Sequence, residues 1–355
     1  MKPILQKILA LLAKLTLKRY EPTIVAVTGS VGKTSTKEAI FSVLKSKYRA
    51  RRSEKNYNTE IGAPLTILGI LHCGRNPLAW LSALIRAAIR VFIRDNNFPE
   101  ILVLEMGADR PGDISYLANL SSPQVGVITA IGDIPVHVEF FDGPEALARE
   151  KANLIKALPP DGWAVLNYDD KAVLGIKSGT TARLFSYGFN PEALVKITNY
   201  EMRANVGGSE RPGISFKIEY GGSVVPVRLA GAFGKPQASA AAAAVCLGLI
   251  FGMNLVEIAE ALCSYEPPPG RIKLLHGVKR TLILDDTYNS SPNATLAALE
   301  VLAEFPAKRR IAVLGDMLEL GQYTEAAHRA VGSNVVSVAD LFIAVGERMR
   351  FALDE

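Results

Sequence analysis

Apolar residues recur along this chain in two rhythms, and the changes of rhythm mark its elements. Short unbroken runs, Ile24-Val25-Ala26-Val27, Ile101-Leu102-Val103-Leu104, Val125-Gly126-Val127-Ile128-Thr129 and Trp163-Ala164-Val165-Leu166-Asn167, predict strands covered on both faces. Between them the spacing becomes helical, with Ala39, Ile40, Val43 and Leu44 after the first run and a segment near 144–158 between the last two. Strands alternating with helices predict an α/β domain with a doubly wound parallel sheet. From about 182 to 230 the pattern turns to strict alternation, as in Ile214-Ser215-Phe216-Lys217-Ile218-Glu219-Tyr220 followed by Gly221-Gly222, and predicts a small antiparallel sheet in the same domain. The alanine-rich run Ala238 to Leu249 predicts a helix whose small side chains allow close packing.

Pro267-Pro268-Pro269-Gly270 interrupts this texture stiffly and marks a domain boundary. Beyond it a new α/β unit is expected: strands at Thr281–Leu284, Ile311–Leu314 and Leu341–Val345, with helices at Ala294–Leu302 and Glu325–Val331. The division is 1–21 as an N-terminal helix, 22–268 as a central domain and 269–355 as a Rossmann-like C-terminal domain. Because ten residues follow its last strand, that domain is expected to stop short of the fold's natural end. No internal repeat is found.

Two further segments are amphipathic. In residues 1–20, Lys7, Lys14 and Lys18 share a stripe beside Ile4, Leu5, Ile8, Leu9, Leu11, Leu12 and Leu15. The lysines are too frequent for a bilayer span, and no small-residue cleavage site follows. Docking on a membrane surface and packing against the first domain both remain open. In Leu78 to Ile93, with Arg94 just beyond, Arg86, Arg90 and Arg94 recur at steps of four, which predicts a solvated arginine face over a buried apolar stripe.

With 355 residues, 49% of them hydrophobic, the chain has material for two or three domains. Its three cysteines, Cys73, Cys246 and Cys263, lie far apart without a CxxC, which argues against a disulfide framework or structural zinc and suits a reducing, cytoplasmic setting. A net charge of +5 without any nucleic-acid-binding signature leaves no call for a nucleic-acid partner.

The chemistry begins where the first strand enters Thr28-Gly29-Ser30-Val31-Gly32-Lys33-Thr34-Ser35. A buried strand, a glycine turn and Lys-Thr-Ser at a helix start form a phosphate cradle: backbone N–H groups of Gly29 to Ser35 close on phosphate oxygens, Lys33 neutralises charge and the Thr34 hydroxyl can ligate Mg²⁺. Position 27 is Val where the usual pattern has Gly, so this is a shorter P-loop variant, and it predicts use of ATP or GTP. Glu105 ends the strand Ile101–Leu104, where a doubly wound sheet opens its crevice, and is a candidate Mg²⁺ ligand. His137 alone is more simply a hydrogen-bonded structural histidine.

Taken together, T-G-S-V-G-K-T-S at 28–35, N-Y-N-T-E-I-G-A-P at 56–64, L-E-M-G-A-D-R-P-G-D-I at 104–114, H-V-E-F-F at 137–141, A-R-E-K at 148–151, P-G-R at 269–271, L-D-D-T-Y-N-S-S-P at 284–292 and L-G-D-M-L-E-L-G at 314–321 resemble the Mur ligases over about residues 23–346. The resemblance implies ATP- and Mg²⁺-dependent amide synthesis in peptidoglycan precursor assembly. A substrate carboxylate takes the γ-phosphate, and an amine then displaces phosphate from the acyl phosphate. The muramoyl-peptide precursor would supply the carboxylate and D-alanyl-D-alanine the amine, with a monomer expected.

By the same resemblance Gly29, Ser30, Val31, Gly32, Lys33, Thr34 and Ser35 hold nucleotide, with Arg271, Asp286 and Asn289 closing over it. Thr34, Glu105, His137 and a carbamylated Lys151 ligate metal, while Lys33, Glu105, His137 and Lys151 serve catalysis. Asn58, Thr59 and Tyr288 face substrate, and His328 matches a motif position to which no role is given. Three departures stand out. Some twenty residues precede the P-loop where the family has a UDP-sugar-binding domain, Gly234 to Ala240 replace a His-Asn stretch that meets adenine, and the C-terminal domain is expected to be incomplete. Two alternatives follow: a ligase for another or lipid-linked acceptor at the inner face of the membrane, and a nucleotide-binding module that partners another enzyme.

Overall fold

The structure is a computed structural model and describes residues 2–54, 57–204 and 211–354, so Asn56 of the N-Y-N-T motif lies outside it. The chain opens with α1 (Lys2–Tyr20) and β1 (Thr23–Thr28), then α2 (Lys33–Leu44), β2 (Ala50–Arg52), α3 (Gly62–Leu68), α4 (Pro77–Phe92) and β3 (Ile101–Glu105). It continues through α5 (Asp113–Ser121), β4 (Val125–Ile128), α6 (Pro144–Lys156), β5 (Trp163–Asn167), α7 (Lys171–Gly175) and β6 (Arg183–Gly188). Three long strands follow, β7 (Val195–Arg203), β8 (Gly213–Tyr220) and β9 (Ser223–Ala230), and then α8 (Lys235–Ile250) and α9 (Leu255–Leu262).

These strands form one nine-stranded sheet in the order β2-β3-β1-β4-β5-β6-β7-β8-β9. The pairings from β2 to β7 are parallel, and β7, β8 and β9 are antiparallel. The antiparallel strands expected over 182–230 thus continue the parallel sheet instead of standing beside it. The side-chain period of two divides the strand residues between two layers. Val25, Val27, Val103 and Val127 point into a core with α2, α8 and α9, whereas Ile24, Leu102 and Leu104 meet α1 and α3, and Ala26 meets α5 and α6.

α8 is buried nearly all round, from Ala238 to Gly248 except Ser239, because alanine lets it lie close between α2 and the sheet. On the other layer α1 buries Leu9, Ala13 and Thr16, so this helix does pack on the first domain. α4 corrects an expectation. Only Ala83 and Ala87 of that helix are buried, while Leu78, Leu81, Ile85, Ile89 and Phe92 are exposed, so the apolar stripe faces outward. Arg90 turns inward to donate to Leu68 O at 3.0 Å. The alanines set this orientation, since only a small side chain fits where α4 meets the helices beneath it.

After residues 267–270 the chain forms β10 (Lys273–His276), β11 (Leu282–Asp285), α10 (Pro292–Glu304), β12 (Ile311–Gly315), α11 (Thr324–Val338), β13 (Leu341–Val345) and α12 (Arg350–Leu353). β12 and β13 pair in parallel under α10 and α11, as expected for a Rossmann-like unit. The strand read at Thr281–Leu284 pairs antiparallel with β10, a partner the pattern did not announce. The three cysteines are free. Among the described residues no helix is long and apolar enough to cross a membrane.

Candidate active site

β1 ends at Thr28 and the chain turns through Gly29 to Gly32 into α2. A Cβ at Gly29 would collide with Thr129 Oγ1, and Gly32 holds φ +88°, so both positions require glycine. The loop is pinned from below. Ser30 N and Val31 N donate to Ala130 O at 2.7 and 3.1 Å, and Thr129 Oγ1 donates to Val31 O at 2.7 Å. Lys33 Nζ curls back over the turn to Gly29 O at 2.8 Å and Ser30 O at 3.2 Å, with its pKa lowered by burial against the opposing pull of Glu105.

Pairing of Val27 with Glu105 across β1 and β3 sets the carboxylate beside the loop, as its strand-end position predicts. Glu105 Oε1 accepts from Thr34 Oγ1 at 3.3 Å and Asn58 Nδ2 at 3.4 Å. Its Oε2 has no hydrogen bond and lies 3.6 Å from Lys37 Nζ. Both Glu105 and Lys37 are almost fully buried, at 3% and 1% exposure. Lys37 was missed in the sequence, although it sits one helical turn beyond Lys33 and therefore on the same face of α2.

Lys151, on α6, is buried at 1% exposure and donates to Gly29 O at 3.1 Å. Burial and then the neighbouring Lys33 hold its pKa well below the ordinary lysine value. His137 caps a short helical turn with φ +72° and lies between two carboxylates, Asp109 Oδ1 at 3.9 Å from Nε2 and Glu319 Oε2 at 2.6 Å from Nδ1. Burial lowers its pKa and Glu319 counters that.

Glu319 belongs to the C-terminal unit, so His137 joins the two halves of the protein. The loop that carries Glu319 is braced by His328, a fully buried side chain whose Nε2 accepts from Met317 N at 3.1 Å while Nδ1 meets Thr324 O at 2.6 Å. Those bonds imply the Nδ1-protonated tautomer and give His328 a structural role. Asp109 and Glu319 were inside the quoted motifs, but only the fold brings them to one histidine.

A cavity of about 190 Å³ is lined by Ser30 to Thr34, Asn58, Glu105, Asp109 and His137 from the central domain, and by Arg271, Tyr288, Asn289 and Ser291 from the C-terminal unit. Arg271 stacks its guanidinium 4.2 Å from the Tyr288 ring centre. The N-termini of α2 and α10 line this cavity, and two helix dipoles there favour an anion. Asp286 accepts from Ile272 N at 3.1 Å, next to Arg271; burial raises its pKa to about 6 against the pull of Arg271. It orders the segment that follows Arg271 and does not line the cavity. Ser35 is buried within α2. Thr59 is exposed and its hydroxyl accepts from Gly62 N at 3.4 Å, at the start of α3, so it also stands outside the cavity.

On the other side of the loop a larger cavity of about 700 Å³ is lined by Gly32, Thr36, Asn167, Asp169, Lys235, Ser239 and Asn293, among others. Lys235 and Ser239 come from the segment 234–240 that departs from the family's pattern. Among the described residues no group of three or more His, Cys, Asp or Glu side chains is arranged to hold a metal ion. The buried Glu105 carboxylate, with Oε1 against the Thr34 hydroxyl and Oε2 without a hydrogen bond, nevertheless fits a hard cation that takes its remaining ligands from phosphate and water.

A phosphate loop joined through His137 to a second α/β unit that also lines its cavity is the arrangement of a nucleotide-binding P-loop protein built from two lobes. Two family profiles match the chain, the Mur ligase middle domain over residues 87–247 and the Mur ligase, glutamate ligase domain over residues 270–354. The chain belongs to the Mur ligase family. The UDP-N-acetylmuramoyl-tripeptide--D-alanyl-D-alanine ligase of Synechocystis sp. is 31% identical over 90% of this chain and 60% of its own length, and that of Escherichia coli is 29% identical over 92% and 65%. The crystal structure of the MurF ligase of Thermotoga maritima in complex with ADP is 30% identical and superimposes with a TM-score of 0.80, covering 98% of this chain and 72% of that one. The chain spans about three fifths of the length of the curated relatives it matches.

Proposed function

We propose that the protein is an ATP-dependent amide ligase that joins D-alanyl-D-alanine to a muramoyl tripeptide. The observation that carries this reading is the single small cavity shared by Lys33, Thr34 and Glu105 from one lobe and Arg271, Tyr288 and Asn289 from the other. ATP lies with its phosphates over Gly29 to Ser35 and its nucleoside in the larger cavity, where Lys235 and Ser239 do the work of the absent His-Asn stretch. Arg271 and Lys33 flank the transferring phosphoryl group and oppose its charge. The acceptor carboxylate oxygen attacks the γ-phosphorus, the bond to ADP breaks, and the resulting acyl phosphate is attacked by the amine, which loses a proton as phosphate leaves. Asn58 and Tyr288 stand where the substrate approaches.

Thr34 and Glu105 would hold Mg²⁺, which supplies charge neutralisation on the phosphates. Burial lowers the pKa of Lys151 and so eases loss of its proton; the neutral amine is the form able to take up CO₂, and the carbamate would offer oxygen in place of an ammonium to a cation near His137. Tyr288 and Asn289 reach the cavity wall, whereas Asp286 acts by ordering the backbone beside Arg271.

The test is incubation of the purified protein with ATP, Mg²⁺, UDP-muramoyl tripeptide and D-alanyl-D-alanine. ADP, phosphate and a ligated pentapeptide are expected in equal amounts. Absence of product together with absence of ADP-forming exchange would overturn the reading. A second acceptor, a muramoyl precursor carried on lipid, is favoured by one observation, the outward-facing apolar stripe of α4.

A further inference from the structure

α1 and α4 pack against each other, with Tyr20 Oη donating to Arg90 O at 2.8 Å and accepting from Asp95 N at 2.8 Å. Each leaves a line of large apolar side chains in solvent. On α1 these are Ile4, Ile8, Leu11 and Leu15, at steps of four, three and four. On α4 they are Leu78, Leu81, Ile85, Ile89 and Phe92, at steps of three, four, four and three, with Leu78 76% and Phe92 80% exposed. Such spacing keeps each line on one helix face.

Within the two segments that carry these rows the charge is of one sign. Residues 4–20 and 61–94 contain eight basic residues, Lys7, Lys14, Lys18, Arg19, Arg75, Arg86, Arg90 and Arg94, and no acidic one. The rest of the chain holds 32 basic against 35 acidic residues, so the basic excess of the whole protein comes from these two segments. Lys7, Lys14 and Lys18 are exposed along the row on α1, and Arg75, Arg86 and Arg94 are exposed around the row on α4.

We infer that α1 and α4 form a docking face for an anionic lipid bilayer. The apolar rows enter the boundary between headgroups and acyl chains while the lysines and arginines meet lipid phosphates. A protein partner or a second copy with the same face would bury the apolar side chains equally well, but a second copy would set the exposed lysines and arginines against like charges, whereas an anionic surface neutralises them. The absence of any membrane-crossing helix among the described residues agrees with attachment in the plane of the surface. The face contains none of the residues assigned to nucleotide or substrate, so docking stands apart from the ligation chemistry.

Flotation of the full chain with vesicles tests this. With an equal mixture of phosphatidylcholine and phosphatidylglycerol the protein rises with the vesicles at low salt, and with phosphatidylcholine alone it binds about tenfold or more weakly. The triple variant Leu78→Ser, Ile85→Ser, Phe92→Ser loses binding to both by about tenfold or more, and the pair Arg86→Gln, Arg94→Gln loses about tenfold on anionic vesicles alone. The positions are exposed, and an unchanged melting curve confirms that the variants fold. No flotation with anionic vesicles, or flotation indifferent to both sets of changes, overturns the inference. So does a dimer in solution that the triple variant dissolves while vesicles go unbound. Ligation with soluble substrates is expected to be unchanged in the triple variant, and flotation is read without turnover, so failure of either proposal is visible separately.

Discussion

α8 and α4 are both sixteen residues long and both strongly apolar, yet one vanishes into the protein and the other wears its apolar residues on the outside. α8 carries alanine at 238 and 240–244, so its backbone can approach α2 and the sheet from all sides. α4 carries alanine at two inward positions, Ala83 and Ala87, and a row of large apolar side chains along its outer half. Burial followed side-chain size and position around the helix, not total hydropathy. The two layers of the sheet differ in the same sense: the α2 layer encloses even charged groups such as Lys37 and Glu105, and the α1–α4 layer leaves apolar ones in water.

The contrast is broken most severely by removing a buried charge partner. Lys37→Met is expected to lower stability by about 3 to 5 kcal/mol, because Glu105 is left buried without its cation; denaturant unfolding measures it, and a loss below about 1 kcal/mol would show that Thr34 and Asn58 suffice. Next come the alanines. Ala242→Leu in α8 and Ala83→Leu in α4 should each cost about 1 to 3 kcal/mol by overpacking, since both sites are closed, and equal losses would tie the exposed helix to its inner face as firmly as the buried one.

A pH response separates the cleft from the helical face. Asp286 holds a pKa raised from 3.8 to about 6. The folded protein therefore keeps this proton more tightly than the unfolded chain, the stability it contributes is full below about pH 4, and it is lost as the pH rises through about 6. Melting temperatures between those limits should fall with pH in the parent more than in Asp286→Asn, and identical slopes would contradict the assignment. The smallest effect belongs to the exposed row: Leu78→Ser should change stability by less than about 0.5 kcal/mol, against the several expected inside.

Much of the cleft was legible beforehand because its signals are local. A run of β-branched residues, two glycines and Lys-Thr-Ser specify strand, turn and helix within a dozen positions, and the end of an apolar run places Glu105. Lys37 was equally legible from helical spacing and was overlooked. Asp109, His137 and Glu319 could not be assembled from spacing, since the contact joins residues more than 180 positions apart. Thr59 shared a motif with Asn58 but turns to the start of α3, a direction set by the local turn that the motif does not record.

The sequence by itself determined the phosphate loop, the strands that flank it and the helices that follow, because each depends on dihedral preferences and side-chain periods over a few residues. Tertiary structure alone decided which face of α4 meets the protein, where β11 finds its partner, and which carboxylates reach His137. Those outcomes depend on the fit of distant surfaces, and apolar residues seek any cover that packing geometry leaves within reach.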